Sequence, residues 1–259
     1  MTAWSQGALL LVGHGSSRGD MSRQVTCRLA EAVAARGLFA EVRACFWKEE
    51  PFLSLDLVSR DTVYVVPNFA GDGVFTRKLI PERLGLTGPL TEIDGRRIVY
   101  SAPVGCHPLV PILLARRAEA VCAAQGIAPK ETGLLVIAHG SRQPGAAAGT
   151  PSRVAEAIRQ TGRFAEVALG FIEQAPHVAA WPSLTTARHV IAAPLLIAEG
   201  MHASDDLPPL FGLTTPTGGP VAIHGRIVWL LGGIGRDPEV VDIILDQLRA
   251  AEALGRMDR

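Results

Sequence analysis

Three side chains in the second half of the chain have the types and placement for divalent-metal chemistry: His139, Glu173 and His202, each just past an apolar, strand-like run. Imidazole and carboxylate suit first-row divalent ions, and a site with only two or three such donors keeps coordination positions open for a second molecule. Imidazole also accepts protons near neutrality, its unperturbed pKa being about 6.5. A single histidine beyond a strand is more often structural, so the argument rests on three loops converging. Asp206, four residues after His202, would share a helix face with it and either orient its imidazole or cap the helix.

The elements that must position these groups occur twice. Leu134-Leu135-Val136-Ile137-Ala138-His139-Gly140-Ser141-Arg142 repeats Leu9-Leu10-Leu11-Val12-Gly13-His14-Gly15-Ser16 at a distance of 125 positions, and self-similarity at a fixed offset decides architecture first. Pro67 matches Pro194, Gly73 matches Gly200, Pro81 matches Pro208 and Pro108 matches Pro238. In the first copy, strands are expected near residues 9–13, 40–46, 62–67 and 97–101, with helices over 21–36, 51–58, 75–84 and 108–125. The second copy retraces them, with strands at 134–138, 165–171, 189–194 and 227–231 and helices over 152–160, from Pro176, from Gly200 and over 238–251. Continuously apolar strands alternating with helices indicate parallel sheets covered on both faces. The expectation is an α/β fold of two pseudo-symmetric halves, residues 1–128 and 129–259, each a parallel four-stranded sheet flanked by helices. Ligands bind beyond the carboxyl ends of such strands, which is where His14 and His139 fall, and the cleft between halves is the expected site.

Composition narrows the function classes. Lysine plus arginine balance aspartate plus glutamate at 25 each, so no bulk field draws in nucleic acid or an anionic membrane. The four cysteines, Cys27, Cys45, Cys106 and Cys122, lack zinc or iron-sulfur spacing and read as reduced thiols. No apolar run reaches the length of a membrane helix, and no leader is apparent, so a cytoplasmic protein is expected. Gly232-Gly233-Ile234-Gly235 is not a dinucleotide fingerprint, and the His-Gly-Ser runs are not nucleophile elbows.

The copies differ where chemistry is expected. Phe75 stands where the second copy has His202, so a symmetric pair of metal sites is not expected. Arg77 and Lys78 replace Ser204 and Asp205; such cations either hold carboxylates or simply solvate a helix face.

The strand-His-Gly-Ser motif in both halves, Phe171-Ile172-Glu173 before Pro176, and Pro194 through His202 followed by Asp206-Leu207-Pro208 resemble the sirohydrochlorin chelatases. These are the class II cobalt and iron chelatases of cobalamin and siroheme synthesis, related to protoporphyrin ferrochelatase. The resemblance covers nearly the whole chain as two tandem copies. It implies flavodoxin-like halves with a tetrapyrrole in the cleft, metal held and protons accepted by His139 and His202, and Glu173 as the acidic partner. Substrate contacts would fall to His14, Ser141, Arg142, Arg18, Arg77 and Lys78. The metal, cobalt or ferrous iron and possibly nickel, is then a substrate rather than a permanent cofactor. A monomer is expected because one chain supplies both copies. A carrier that binds tetrapyrrole or metal without turnover is the competing reading, and a small-molecule hydrolase or isomerase a weaker one.

Overall fold

Strands that are apolar at every position must be covered on both faces, and the chain does this twice. The computed structural model describes residues 4–16, 21–141, 149–198 and 205–257. The first copy runs β1 (Ala8–Gly13), α1 (Met21–Ala34), β2 (Glu41–Phe46), β3 (Thr62–Pro67), α2 (Ile80–Leu84), β4 (Leu90–Ile93), β5 (Arg96–Tyr100) and α3 (Leu109–Gln125). The second runs β6 (Thr132–Ala138), α4 (Gly149–Gln160), β7 (Glu166–Phe171), α5 (Trp181–Leu184), β8 (His189–Pro194), α6 (Leu207–Leu210), β9 (Gly218–Ile223), β10 (Arg226–Leu230) and α7 (Glu239–Met257). The sheets have the same order, β2-β1-β3-β5-β4 and β7-β6-β8-β10-β9. Every residue of β1 and of β6 is buried.

Each sheet has five strands rather than the expected four parallel ones. The fifth, β4 or β9, is antiparallel to its hairpin partner at the edge. Its signal was present in the turn: Asp94-Gly95 and His224-Gly225 both have positive φ, 50° and 79° in the first and 51° and 71° in the second. Two residues in that conformation form the mirror-image turn that matches strand twist, for which Asp-Gly is a strong sequence cue. Short, partly exposed strands such as Leu90-Thr91-Glu92-Ile93 carry little apolar periodicity, and so escape a reading based on buried runs.

The expected helix at 51–58 is also different. Only Leu55–Leu57 forms a helical turn, of the tight 3₁₀ kind, started by Ser54 accepting from the Asp56 N–H. Upstream, the chain instead doubles back on β2, with the Leu53 N–H donating to the Phe46 carbonyl at 2.9 Å. The counterpart after Pro176 is a similar turn at Val178–Ala180 followed by the short α5.

The compact units do not divide at one point. One comprises Met1–His107 with Gly235–Arg259, the other Pro108–Ile234. Thus α7, the last helix of the second copy, packs on β3 and β5 of the first sheet, while α3 packs against β8 and α4. Buried Gln247 of α7 donates to the Pro103 carbonyl at 2.7 Å, and the Tyr64 hydroxyl of β3 donates to Glu252 at 2.9 Å. The second unit's core gathers Trp181, Phe211, Leu135, Ile137, Leu196 and Leu230, with the Trp181 indole N–H satisfied by the Leu210 carbonyl at 2.9 Å. The first unit's core has Leu10, Val12, Leu53, Val65, Ile80 and Ile98 in similar roles. All four cysteines are free, Cys45 and Cys122 fully buried. No helix among the described residues is long and apolar enough to cross a membrane.

A matched pair of carboxylates latches the loop leading into the third strand of each sheet. Glu41 accepts from the Ser59 hydroxyl and N–H and from Arg60. Glu166 accepts from Thr186 and from the Ala187 N–H. The Ser59 hydroxyl is the main force holding Glu41 below its usual carboxylate pKa. Burial pushes Glu166 up, but hydrogen bonds from Thr185, Thr186 and Ala187 together outweigh it and hold that group low as well.

Two outcomes follow from this architecture. Leu248 is fully buried on α7, so Leu248→Ala should cost about 2–5 kcal/mol, and hydrogen exchange should accelerate first in β3 to β5 rather than in β6 to β10. Because Glu41 and Glu166 are depressed in the folded state, their stabilisation is present above the ordinary carboxylate pKa and lost as pH falls through the folded value. Urea midpoints measured from pH 7 down to pH 3 should therefore decline less steeply for a Glu41→Gln, Glu166→Gln double variant than for wild type.

Candidate metal centre at the strand ends

In an open α/β sheet, ligands gather where the strand order reverses, at the carboxyl ends of the strands. Here that point lies between β1 and β3 in one sheet and between β6 and β8 in the other. His14 is the first residue after β1, and His139 the first after β6. Gly15 and Gly140 follow with φ of 73° and 76°, a conformation that a side chain would strain. The tight turn brings each ring back on its own chain: Nδ1 of His14 lies 3.0 Å from the Gly15 carbonyl, and Nδ1 of His139 lies 3.2 Å from that of Gly140. A carbonyl only accepts, so a hydrogen bond here is one that an Nδ1–H donates, and the neutral imidazole with its proton on Nδ1 is the form whose Nε2 can bind a metal or take up a proton.

Parallel pairing then continues one residue past the strands. The Ile172 N–H donates to the Ala138 carbonyl at 3.0 Å, and the Glu173 N–H to the His139 carbonyl at 2.9 Å. His139 is exposed and Glu173 half-buried, so the backbone bond ties an accessible imidazole to a carboxylate-bearing residue. Next to them the Ser141 N–H donates to Oε1 of Gln174 at 2.8 Å, which anchors the turn after the histidine.

The first copy repeats this framework with different side chains. Trp47 and Lys48 donate to the Gly13 and His14 carbonyls at 3.1 and 3.0 Å, and Ser16 donates to Oε1 of Glu49 at 2.9 Å. Lys48 is therefore the structural counterpart of Glu173, a correspondence that sequence comparison passed over. Phe75, the counterpart of position 202, has its ring 4.8 Å from that of His14, edge to face, and packs also against Phe69 and Trp47 at 6.0 and 5.7 Å. Phe75 opens a wide π-type turn, Phe75–Leu79, positioned by the Thr76 hydroxyl on Asp72 and by the Tyr100 hydroxyl on the Thr76 carbonyl.

Arg77 and Lys78 are exposed on that turn, and each has an acid nearby: Arg77 pairs with Asp72 at 2.6 Å and Lys78 with Glu82 at 3.9 Å. His202, Arg18 and Arg142 lie outside the described residues. Among the described residues, no three His, Cys, Asp or Glu side chains gather as a metal-holding group; His139 and Glu173 are the two expected members that can be placed.

Comparison with known proteins matches this architecture. The CbiX family model fits the chain twice, over residues 8–121 and 133–251. A Halobacterium salinarum protein named probable sirohydrochlorin cobaltochelatase is 32% identical, over 95% of this chain and 91% of its own length. A structure described as CbiX, the terminal enzyme for siroheme biosynthesis in denitrifying bacteria, superposes with a TM-score of 0.71 at 28% identity, covering 95% of this chain and 99% of the other. A multi-domain Deinococcus radiodurans protein, described as structurally similar to chelatases, gives a TM-score of 0.75 at 27% identity; this chain, 94% of which is covered, spans 54% of it. The fold and its strand-end histidines define a chelatase-type α/β protein. The chain belongs to the CbiX family, as a two-copy member.

Gln174→Ala removes the acceptor that anchors the turn beyond His139, and should lower stability by about 1 kcal/mol in urea unfolding. Gln174→Glu should be tolerated, because Glu49 makes the same bond in the first copy.

Proposed function

We propose that the protein inserts a divalent metal, cobalt or ferrous iron, into sirohydrochlorin, with His139 and His202 as metal-holding and proton-accepting groups and Glu173 as their acidic partner. The carrying observation is the first copy's geometry. Pro67 and Pro81 bracket Phe75 at the same spacing by which Pro194 and Pro208 bracket His202, and Phe75 has its ring 4.8 Å from His14. The repeat thus supports pairing His202 with His139, and with Glu173, as the functional residues of the second copy. The names of the relatives supply the reaction class and the tetrapyrrole.

The chemistry needs what these residues offer. Insertion replaces two pyrrole N–H bonds by metal–nitrogen bonds, so two protons must leave as the ion enters. An imidazole with its lone pair on Nε2 first holds the ion and then, once the ion has moved to the ring, takes up a proton near neutral pH. Two imidazoles and one carboxylate leave coordination positions open and hold the metal loosely enough to release it. The half-buried Glu173 supplies negative charge that favours both the bound cation and the imidazolium formed afterwards. The metal is consumed with the product, so no resident cofactor is required.

His139→Ala and His202→Ala should each lower the rate of cobalt insertion into sirohydrochlorin by about 10²-fold or more, while far-ultraviolet circular dichroism and the unfolding midpoint stay near wild type. Glu173→Gln should lower the rate less. Full activity in both histidine variants would remove the assignment, and absorbance changes that stop at one equivalent of protein would identify a carrier instead.

A further inference from the structure

Gly232-Gly233-Ile234-Gly235, which is no dinucleotide fingerprint, has a different use in the fold. The loop follows β10 and is buried from Gly232 through Ile234. Its backbone runs against the chain that leaves β8. The Ile234 N–H donates to the Leu196 carbonyl at 2.8 Å, and a Cβ on Gly233 would stand 2.7 Å from that same oxygen and 3.4 Å from the Ile197 carbonyl. Only a residue without a side chain permits so close an approach. The loop is held by α3 as well, where Arg117 donates to the Gly232 carbonyl at 2.9 Å. A guanidinium makes a strong bond to a carbonyl that burial removes from water.

The first copy has the same brace, built from different residues. Gln247 of α7, which holds the place of Arg117 when Pro238 is matched to Pro108, donates to the Pro103 carbonyl at 2.7 Å. The Gly105 N–H donates to the Phe69 carbonyl at 2.8 Å, and a Cβ on Gly105 would overlap the Ala70 carbonyl. There the braced segment leads into Phe75, whose ring meets that of His14. In the second copy the braced residues are Leu196 and Ile197, both buried, and the chain runs on from them to His202. A brace kept in both copies, on the segment that leads to the same position in each, is tied to what that position does.

We infer that Arg117 and Gly233 are positioning residues of the metal site: together they fix Leu196 and Ile197, and so set where the chain leaves β8 on its way to His202. This rests on the function proposed above, in which His202 is a metal donor. Neither residue is itself a ligand. Without the brace Leu196 and Ile197 are less fixed, and binding of the ion must supply order that the fold no longer provides.

The test is equilibrium dialysis of cobalt against the full chain, with His202→Ala as the reference for loss of the donor. Arg117→Ala and Gly233→Ala should each raise the cobalt Kd about tenfold, as removal of groups that orient a ligand does. Arg117→Gln, which gives the second copy the amide that Gln247 provides in the first, should stay within about twofold of wild type. In a His202→Ala background Arg117→Ala should add no further rise, because the two act through one donor. Leu248→Ala, which weakens the core of the first unit, should lower the urea midpoint and leave the cobalt Kd unchanged; a shift there too would make the Kd a report of stability and overturn the inference. If His202→Ala weakens binding while folded Arg117→Ala and Gly233→Ala bind as wild type, the inference falls and the chelatase reading stands. An equal rise from Arg117→Ala with and without His202 also overturns it. Should His202→Ala bind cobalt as wild type does, the assignment of His202 in the proposed function falls, and this inference with it. If Gly233→Ala does not fold, the contrast of Arg117→Ala with Arg117→Gln decides alone.

Discussion

One backbone hydrogen bond governs the site: the N–H two residues beyond the second strand of each sheet donates to the carbonyl of the histidine that follows the first strand. It extends parallel pairing past the regular ladder, so the residue bearing that N–H is held beside the histidine whatever its side chain. The buried strands behind it make the arrangement rigid, because β1 and β6 are covered at every position. A loop alone would not hold two side chains in register, since each residue free to rotate costs about 1–2 kcal/mol to order. The following turn adds a second restraint, the Ser16 or Ser141 N–H on Glu49 or Gln174.

This rigidity lets the two copies carry different side chains on one framework. With the backbone framework unchanged, Lys48 stands where the second copy has Glu173, and Phe75 packs apolar ring surface on His14. The sheet does not have to change for the chemistry to change. The exchange of final helices adds a constraint, because α7 covers the first sheet and α3 the second. Neither copy then completes its core with its own last helix, which gives each a structural reason to be retained.

Much of this was legible in the residues. Apolar runs and punctuating prolines located the parallel strands to within a residue or two, and the repeat located the histidines at strand ends. The edge strands β4 and β9 were not found, because short strands that are largely solvent-facing lack a buried pattern, although Asp94-Gly95 marks one hairpin. The 51–58 helix was overestimated because Leu53, Leu55 and Leu57 recur at every second residue, a period of two and not the helical 3.6, and the burial of Leu53 accompanies a return to β2. Phe75 as the counterpart of His202 was visible from flanking prolines. Lys48 as the counterpart of Glu173 was not, since Trp47-Lys48-Glu49 and Ile172-Glu173-Gln174 share no residue and only the hydrogen-bond register equates them.

The sequence by itself determined the duplication, the alternation of strands and helices and the residues available for metal chemistry, because periodicity, turn residues and side-chain type are local properties. Tertiary structure decided which helix covers which sheet, which side chain stands opposite each histidine and which cations are already neutralised. Those outcomes depend on contacts between residues far apart in the chain, where backbone pairing and core packing choose among partners that local sequence leaves equivalent.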